Sequence, residues 1–265
     1  HGTSYVVEYD EFGACGEPLP GAHPTGEWVS LFNCRDLNGW KTRPDRPGRW
    51  AVEGRMLVGR GTPGGGLSWL FSERGDYADF HLRAEAKINR HGDSGVLLRS
   101  EFGGSGQAAA LPQSYPLCYE AAILGKTTED DDRQTGTLYK CRANGVPILA
   151  QCPQTLALPD TWFTLEVIAR RNHFVVKVNG ELTADCVDGE RPYRAGHLAL
   201  QTYGAGTVVH FRKIEIKELP PGDFKDKATA SSAPSDYGVR RYAGHTGGVN
   251  RVCVLPDGKR IASCA

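Results

Sequence analysis

The sequence has no excess of charge of either sign: Lys and Arg number 31, and Asp and Glu number 31. Bulk electrostatics therefore draws in neither nucleic acid nor an anionic membrane. No apolar run is long enough to cross a bilayer. The eight cysteines contain no C-x-x-C pair, which argues against a zinc ribbon or a thioredoxin-like centre. Their even number permits disulfides, but a chain of this size buries a core without them. They read mostly as small buried hydrophobes. The chain opens at His1 with neither Met nor an apolar leader core, so it reads as a trimmed or excised piece. No stretch has a helical period. Also missing are paired acids at i and i+2 or i+4 of one strand, the arrangement that would serve double displacement at a sugar. The one dense acidic run, Glu129-Asp130-Asp131-Asp132, is flanked by Thr and Arg and reads as a solvated loop. Its oxygens are of the kind that hold Ca²⁺, but nothing else points to a metal, and no cofactor is expected.

What is abundant is turn chemistry. Gly 33 and Pro 16 suit many short strands joined by tight turns. Phe80 to Ile88 alternates apolar and polar residues, the period of a half-buried strand. Val96 to Arg99, Tyr119 to Leu124, Trp162 to Ala169 and His197 to Thr202 are further strand candidates. His173 to Val178 and Glu181 to Cys186 flank Asn179-Gly180, the pair preferred in a type I′ hairpin turn because both central residues need positive φ. The run Val209 to Ile216 alternates but slips phase after Phe211, and a β-bulge near Arg212-Lys213 would restore it. Gly26 to Leu219 thus predicts an all-β domain of about ten or more strands, a two-sheet antiparallel β-sandwich or jelly roll. Residues 1–25 read as an N-terminal arm. Residues 220–240, small and polar, read as a linker that cannot offset its ordering entropy.

Within residues 26–219, Glu27-Trp28-Val29-Ser30-Leu31-Phe32-Asn33-Cys34-Arg35-Asp36-Leu37-Asn38-Gly39-Trp40 resembles the opening of the 3-keto-disaccharide hydrolase family. Further matches follow in order: Trp50 to Gly59, Asp93-Ser94-Gly95-Val96-Leu97-Leu98-Arg99, Tyr119 to Leu124, Trp162 to Glu166, Val178-Asn179-Gly180, Leu200-Gln201 and Phe211 to Lys217. The resemblance implies a concanavalin-like jelly roll. A second resemblance covers 241–265. Gly244-His245, Val249-Asn250-Arg251-Val252 and Pro256 to Cys264 are similar to the start of a WD repeat, which needs roughly 40 residues and stops here before its Trp-Asp pair. One incomplete blade cannot bury its faces alone.

The first resemblance implies a carbohydrate-active enzyme acting on 3-keto-glycosides or 3-keto-disaccharides. A ketone at C3 acidifies the hydrogen on C2; its removal gives an enolate that expels the group at C1, and water then adds. Such chemistry needs one placed base and a donor for the enolate oxygen. Glu120 is the expected base. It interrupts an apolar strand, where a carboxylate is costly unless partnered or groove-facing, and its alternation mates Cys118 and Ala122 leave room above it. Arg99, ending Val96-Leu97-Leu98-Arg99, is expected to orient Glu120 or stabilise an oxyanion; a plain ion pair is the structural alternative. Gln201 and Tyr203 close a strand where ligand contacts gather. The family commonly has Asp-His after this Gln, whereas Thr202-Tyr203 stand here, which removes an imidazole. Tyr139, His91 and Trp69 complete the expected substrate contacts, with a surface role the alternative for His91 and core packing for Trp69.

The expected partner is a sugar or oligosaccharide, with a protein partner through the WD-repeat region of a longer chain, and the expected setting is extracytoplasmic. A non-catalytic glycan-binding module that tethers a propeller is the rival reading. A cytoplasmic scaffold would rest on the WD resemblance alone.

Overall fold

The computed structural model describes residues 25–103, 115–127, 129–130, 133–143 and 145–220, with the backbone of 251–254 and 261–264. The expected arm up to residue 24, most of the linker, and Asp131 and Asp132 lie outside the described residues. The chain divides into two compact units, His1–Gly222 and Asp223–Ala265.

The described part of the first unit contains strands and no helix. In chain order they are β1 (Trp28–Ser30), β2 (Trp40–Thr42), β3 (Arg49–Glu53), β4 (Met56–Arg60), β5 (Ser68–Ser72), β6 (Phe80–Ile88), β7 (Asp93–Ser100) and β8 (Cys118–Leu124). There follow β9 (Leu138–Cys141), β10 (Ile148–Ala150), β11 (Phe163–Arg170), β12 (His173–Val178), β13 (Glu181–Val187), β14 (His197–Tyr203) and β15 (Val208–Glu218). Two antiparallel sheets result. The eight-stranded sheet runs β13-β12-β11-β6-β15-β4-β3, with β1 also on β15; the seven-stranded sheet runs β10-β9-β8-β7-β14-β5-β2. β15 is long enough to pair β4 through Val208–Phe211 and β1 through Glu215–Lys217. The all-β sandwich read from alternation is the fold observed.

The two sheets differ on their outer faces, and the difference locates the site. In β6 the apolar set Phe80, Leu82, Ala84, Ala86 and Ile88 is buried between the sheets, while the intervening positions face out. Those outward positions pair across strands: Arg83 with Glu215 at 2.6 Å, Arg212 with Glu85 at 2.6 Å and His81 with Glu166 at 2.9 Å. The outer face of the larger sheet is thus a partly solvated lattice of ion pairs and hydrogen bonds. In β7 and β8 of the smaller sheet nearly every residue is buried on both faces. Val96, Leu98, Tyr119, Ala121 and Ile123 join the inter-sheet core. Leu97 and Cys118 join a second apolar cluster, with Trp69, Phe71, Tyr115, Cys141 and Ala199, on the opposite face. Strands that read as continuous apolar runs are covered on both sides, so something packs over this outer face.

Local details follow the turn and bulge chemistry. Asn179 and Gly180 have φ of 52° and 82°, as a type I′ turn requires. The β6–β15 ladder shifts register between Phe211 and Lys213, the expected bulge. Cys34 is disulfide-bonded, while Cys118, Cys141, Cys152 and Cys186 are free thiols. No helix among the described residues is long and apolar enough to cross a membrane. In the second unit, β16 (Arg251–Val254) and β17 (Ile261–Cys264) form an antiparallel pair.

Candidate active site

Strand register assembles the site. Three rows cross the outer face of the smaller sheet. In the first, Tyr203 of β14 lies opposite Asp93 of β7, which lies opposite Leu124 of β8. In the second, Trp69 of β5, Gln201, Gly95 and Ala122 stand in line. In the third come Ala199, Leu97, Glu120 and Tyr139. Residues two apart on a strand share a face, so these rows form one surface. A cavity of about 250 Å³ opens over it, walled by Leu67, Tyr115 and Val146 from flanking segments and by Lys126 and Arg133 from the β8–β9 connection. Tyr203, Asp93, Leu124, Gln201, Ala122, Glu120 and Tyr139 all line it.

Glu120 sits on the floor, 7% exposed. The Tyr115 hydroxyl donates to its Oε2 at 2.7 Å, and the Cys141 thiol approaches the same oxygen at 3.7 Å. Its Oε1 lies over Gly95, where a Cβ would come within 2.3 Å of it. Burial pushes the carboxyl up to about 7; the Tyr115 hydrogen bond opposes the shift, and the charge of Asp93 adds to it. Burial likewise raises Tyr115 and Cys141 well above their ordinary values, so both remain protonated donors. Gln201 is 2% exposed, lines the cavity, and its Oε1 has no hydrogen-bond partner among the described residues. A buried acceptor left in this state is one a ligand hydroxyl can satisfy.

The structure gathers four of the seven expected residues around this cavity: Glu120, Gln201, Tyr203 and Tyr139. Tyr203 is 48% exposed at the rim, while its neighbour Thr202 faces the other way and shares a 2.8 Å hydrogen bond with Ser68.

Arg99 is not in the cavity. Strict alternation would set it on the face of Leu97, beside Glu120. Instead the β7–β14 ladder shifts between Ala199↔Leu97 and His197↔Ser100, inserting one residue, and Arg99 takes φ 50°. The bulge turns its side chain inward. There it donates to the carbonyls of Ala78 at 2.7 Å, Arg171 and Tyr193, lies over the Phe174 ring and meets Asp79 at 3.4 Å. Burial pulls this guanidinium down to about 10, which leaves it charged at neutral pH.

Two further expectations need correction. His91 occupies an exposed turn with φ 61°, its amide bonded to the Gly125 carbonyl, and is not part of the cavity wall. Trp69 is 1% exposed and packs edge-on to Tyr115 at 5.5 Å, so it supports the floor and offers no stacking face to a sugar. The acidic run is described only in part: Asp130 accepts from the Thr127 amide at 3.0 Å and pairs with Arg90 at 3.1 Å. Among the described residues no cluster of three metal-ligating side chains occurs.

Sequence reasoning missed Asp93, Gly95 and Tyr115. Asp93 and Gly95 share the parity of Leu97 along β7, a signal that becomes usable once β7 is paired with β8. Tyr115 precedes the strand in a connecting segment, and no periodicity marks it.

Solved structures with this architecture include a candidate glycosyl hydrolase from Parabacteroides distasonis ATCC 8503, 15% identical, with a TM-score of 0.53 over 73% of this chain and 100% of the other. A carbohydrate-binding module, CBM66 from Bacillus subtilis, is 18% identical, with a TM-score of 0.50 over 66% and 93%. The lumenal domain of VIP36, in its Ca²⁺/Man3GlcNAc-bound form, is 12% identical, with a TM-score of 0.55 over 74% and 91%. At these identities the likeness is one of fold. No curated protein matches the sequence. The model of the 3-keto-alpha-glucoside-1,2-lyase-like domain, in contrast, matches residues 27–217, an interval that contains both sheets but for the last residue of β15 and every residue of the cavity. The chain belongs to that family.

Proposed function

We propose that residues 27–217 form an enzyme that cleaves the glycosidic bond of 3-keto-glycosides or 3-keto-disaccharides. The observation that carries this reading is the state of Glu120: one oxygen is held by Tyr115, the other lies over Gly95 with no donor to it among the described residues, and the group lines a cavity. A carboxyl that titrates at about 7 is suited both to take and to return a proton at neutral pH. Glu120 removes the C2 proton, and the electron pair moves onto the C3 oxygen as an enolate. When the C3 carbonyl re-forms, a C1–C2 double bond forms and the C1–oxygen bond breaks. The departing alkoxide takes up a proton, and water adds across the double bond to give the free 3-keto sugar. Tyr203 and Tyr139 offer hydroxyls to the enolate oxygen, and Gln201 offers an acceptor to a sugar hydroxyl.

The test is turnover of a 3-keto-glycoside carrying deuterium at C2, beside the parent glycoside. Cleavage of the keto compound alone, with exchange or loss of the deuterium, is the expected result. Normal cleavage with the deuterium retained would overturn the elimination route.

A second reading, a glycan-binding module without turnover, is favoured by Tyr203. A half-exposed aromatic ring at the rim, where the family commonly carries an imidazole, is a stacking surface. Binding of an intact glycan with no turnover of any 3-keto-glycoside would select it. The β16–β17 pair supports reading 241–265 as the opening of a WD-repeat blade. The Cys34 disulfide supports an extracytoplasmic setting.

A further inference from the structure

We infer that Tyr115 is the positioning residue of this site: its hydroxyl pins Oε2 of Glu120, so that Oε1, lying over Gly95, is the oxygen that exchanges the proton. The inference rests on the reading of Glu120 as the base and adds which atom acts and what holds it.

Three observations converge. Tyr115 enters the site from outside the sheet, and its ring stands edge-on to Trp69, a side chain that is itself fixed by burial. Its hydroxyl reaches Oε2 at 2.7 Å, and the second donor, the Cys141 thiol, reaches that same atom. Gly95 supplies the remaining half of the geometry, because any side chain there would occupy the place of Oε1. A carboxylate with donors on one oxygen keeps its free lone pairs on the other. The titratable neighbours are Cys118 from the same strand, Cys141 and Tyr139 from β9, Asp93 from β7 and Tyr115 itself; Lys126 and Arg133 line the same cavity. Of these, Tyr115 makes the shortest hydrogen bond to the carboxyl, and that bond favours the ionised form. Loss of it must move the titration of Glu120 to higher pH, whereas a tyrosine that merely filled space would leave the titration unmoved.

The experiment follows the protonated-carboxyl infrared band of the full chain that disappears in Glu120→Gln, together with the acidic limb of kcat/KM on a 3-keto-glycoside. Tyr115→Phe should raise both midpoints by about one to two pH units, the usual weight of a charge-assisted hydrogen bond. Activity should largely recover above the new midpoint, since Phe preserves the packing on Trp69. Incorporation of 3-fluorotyrosine at position 115 strengthens the donor and should move the midpoints down, and it keeps the inference testable if the Phe variant does not fold. An infrared midpoint unmoved in either folded variant overturns the inference, whatever the turnover. An infrared midpoint that moves as expected, with no turnover of any 3-keto-glycoside, upholds the place of Tyr115 and instead removes the catalytic reading.

Discussion

A carboxyl placed on the covered face of a sheet is tolerated in its neutral form and penalised when it ionises, and Glu120 carries the consequence of that asymmetry. Its folded value, about 7, stands above the ordinary 4.5. The folded chain therefore holds this proton over a range in which the unfolded chain has released it, and stability falls as pH rises from about 4.5 to about 7. Glu120→Gln removes the penalty. At pH 8 the variant should be more stable than the parent, by about 3 kcal/mol at most, and the gap should close below pH 4; urea titrations at the two pH values measure it. The same substitution should lower kcat by about 10²–10⁴-fold with little change in substrate binding, as loss of a placed base does. Gly95→Ala makes a complementary case. The added carbon meets Oε1, so kcat should fall by about tenfold or more, while Tyr115 and Cys141 stay in place; full activity would show that the carboxylate can lie elsewhere. Glu120 was legible in the sequence because a lone acid in an apolar strand is conspicuous. Tyr115 was not, because it lies outside the strands and its contact with Glu120 is made in space, not in residue order.

At the scale of the element, the bulge in β7 decides which residues belong to the site. Residue order placed eight of the fifteen described strands of the first unit, β6–β8 and β11–β15, together with the Asn179-Gly180 hairpin and the β15 bulge, since each leaves a local signature; β1–β5, β9 and β10, all of three to five residues, are too short to leave one. The β7 bulge leaves none: Val96-Leu97-Leu98-Arg99 reads as an ordinary strand end, and only pairing with β14 reveals the extra residue. Its result is that Arg99 ties together the carbonyls of Ala78, Arg171 and Tyr193 at the end of the sandwich. Arg99→Ala should strand these acceptors and cost about 3–5 kcal/mol, seen as a lower melting temperature. At a temperature where the variant is still folded, KM and the pH profile should match the parent. A change in either would place Arg99 back at the chemistry. A smaller effect belongs to the hairpin: Gly180 has φ 82°, and Gly180→Ala should cost about 1 kcal/mol in thermal unfolding without touching activity.

For the whole molecule, the prediction concerns the boundary between the two units. A chain ending at Pro220 retains both sheets and the whole cavity wall, and it should melt within error of the full chain by calorimetry. A loss of several degrees would mean that residues 221–265 contribute to the first domain. The contrast between the two outer faces also bears on how this protein can change. Along β8, β14 and β7 up to its bulge, one parity of residue packs between the sheets and the other faces outward, toward the cavity or the apolar cluster beside it. Inheritance of the fold and inheritance of the chemistry are therefore written in alternate letters of the same strands. Drift at Tyr203, Gln201, Ala122 or Leu124 can explore new ligands while the intervening letters stay fixed, so descendants of one sandwich can diverge in what they recognise long before they diverge in shape.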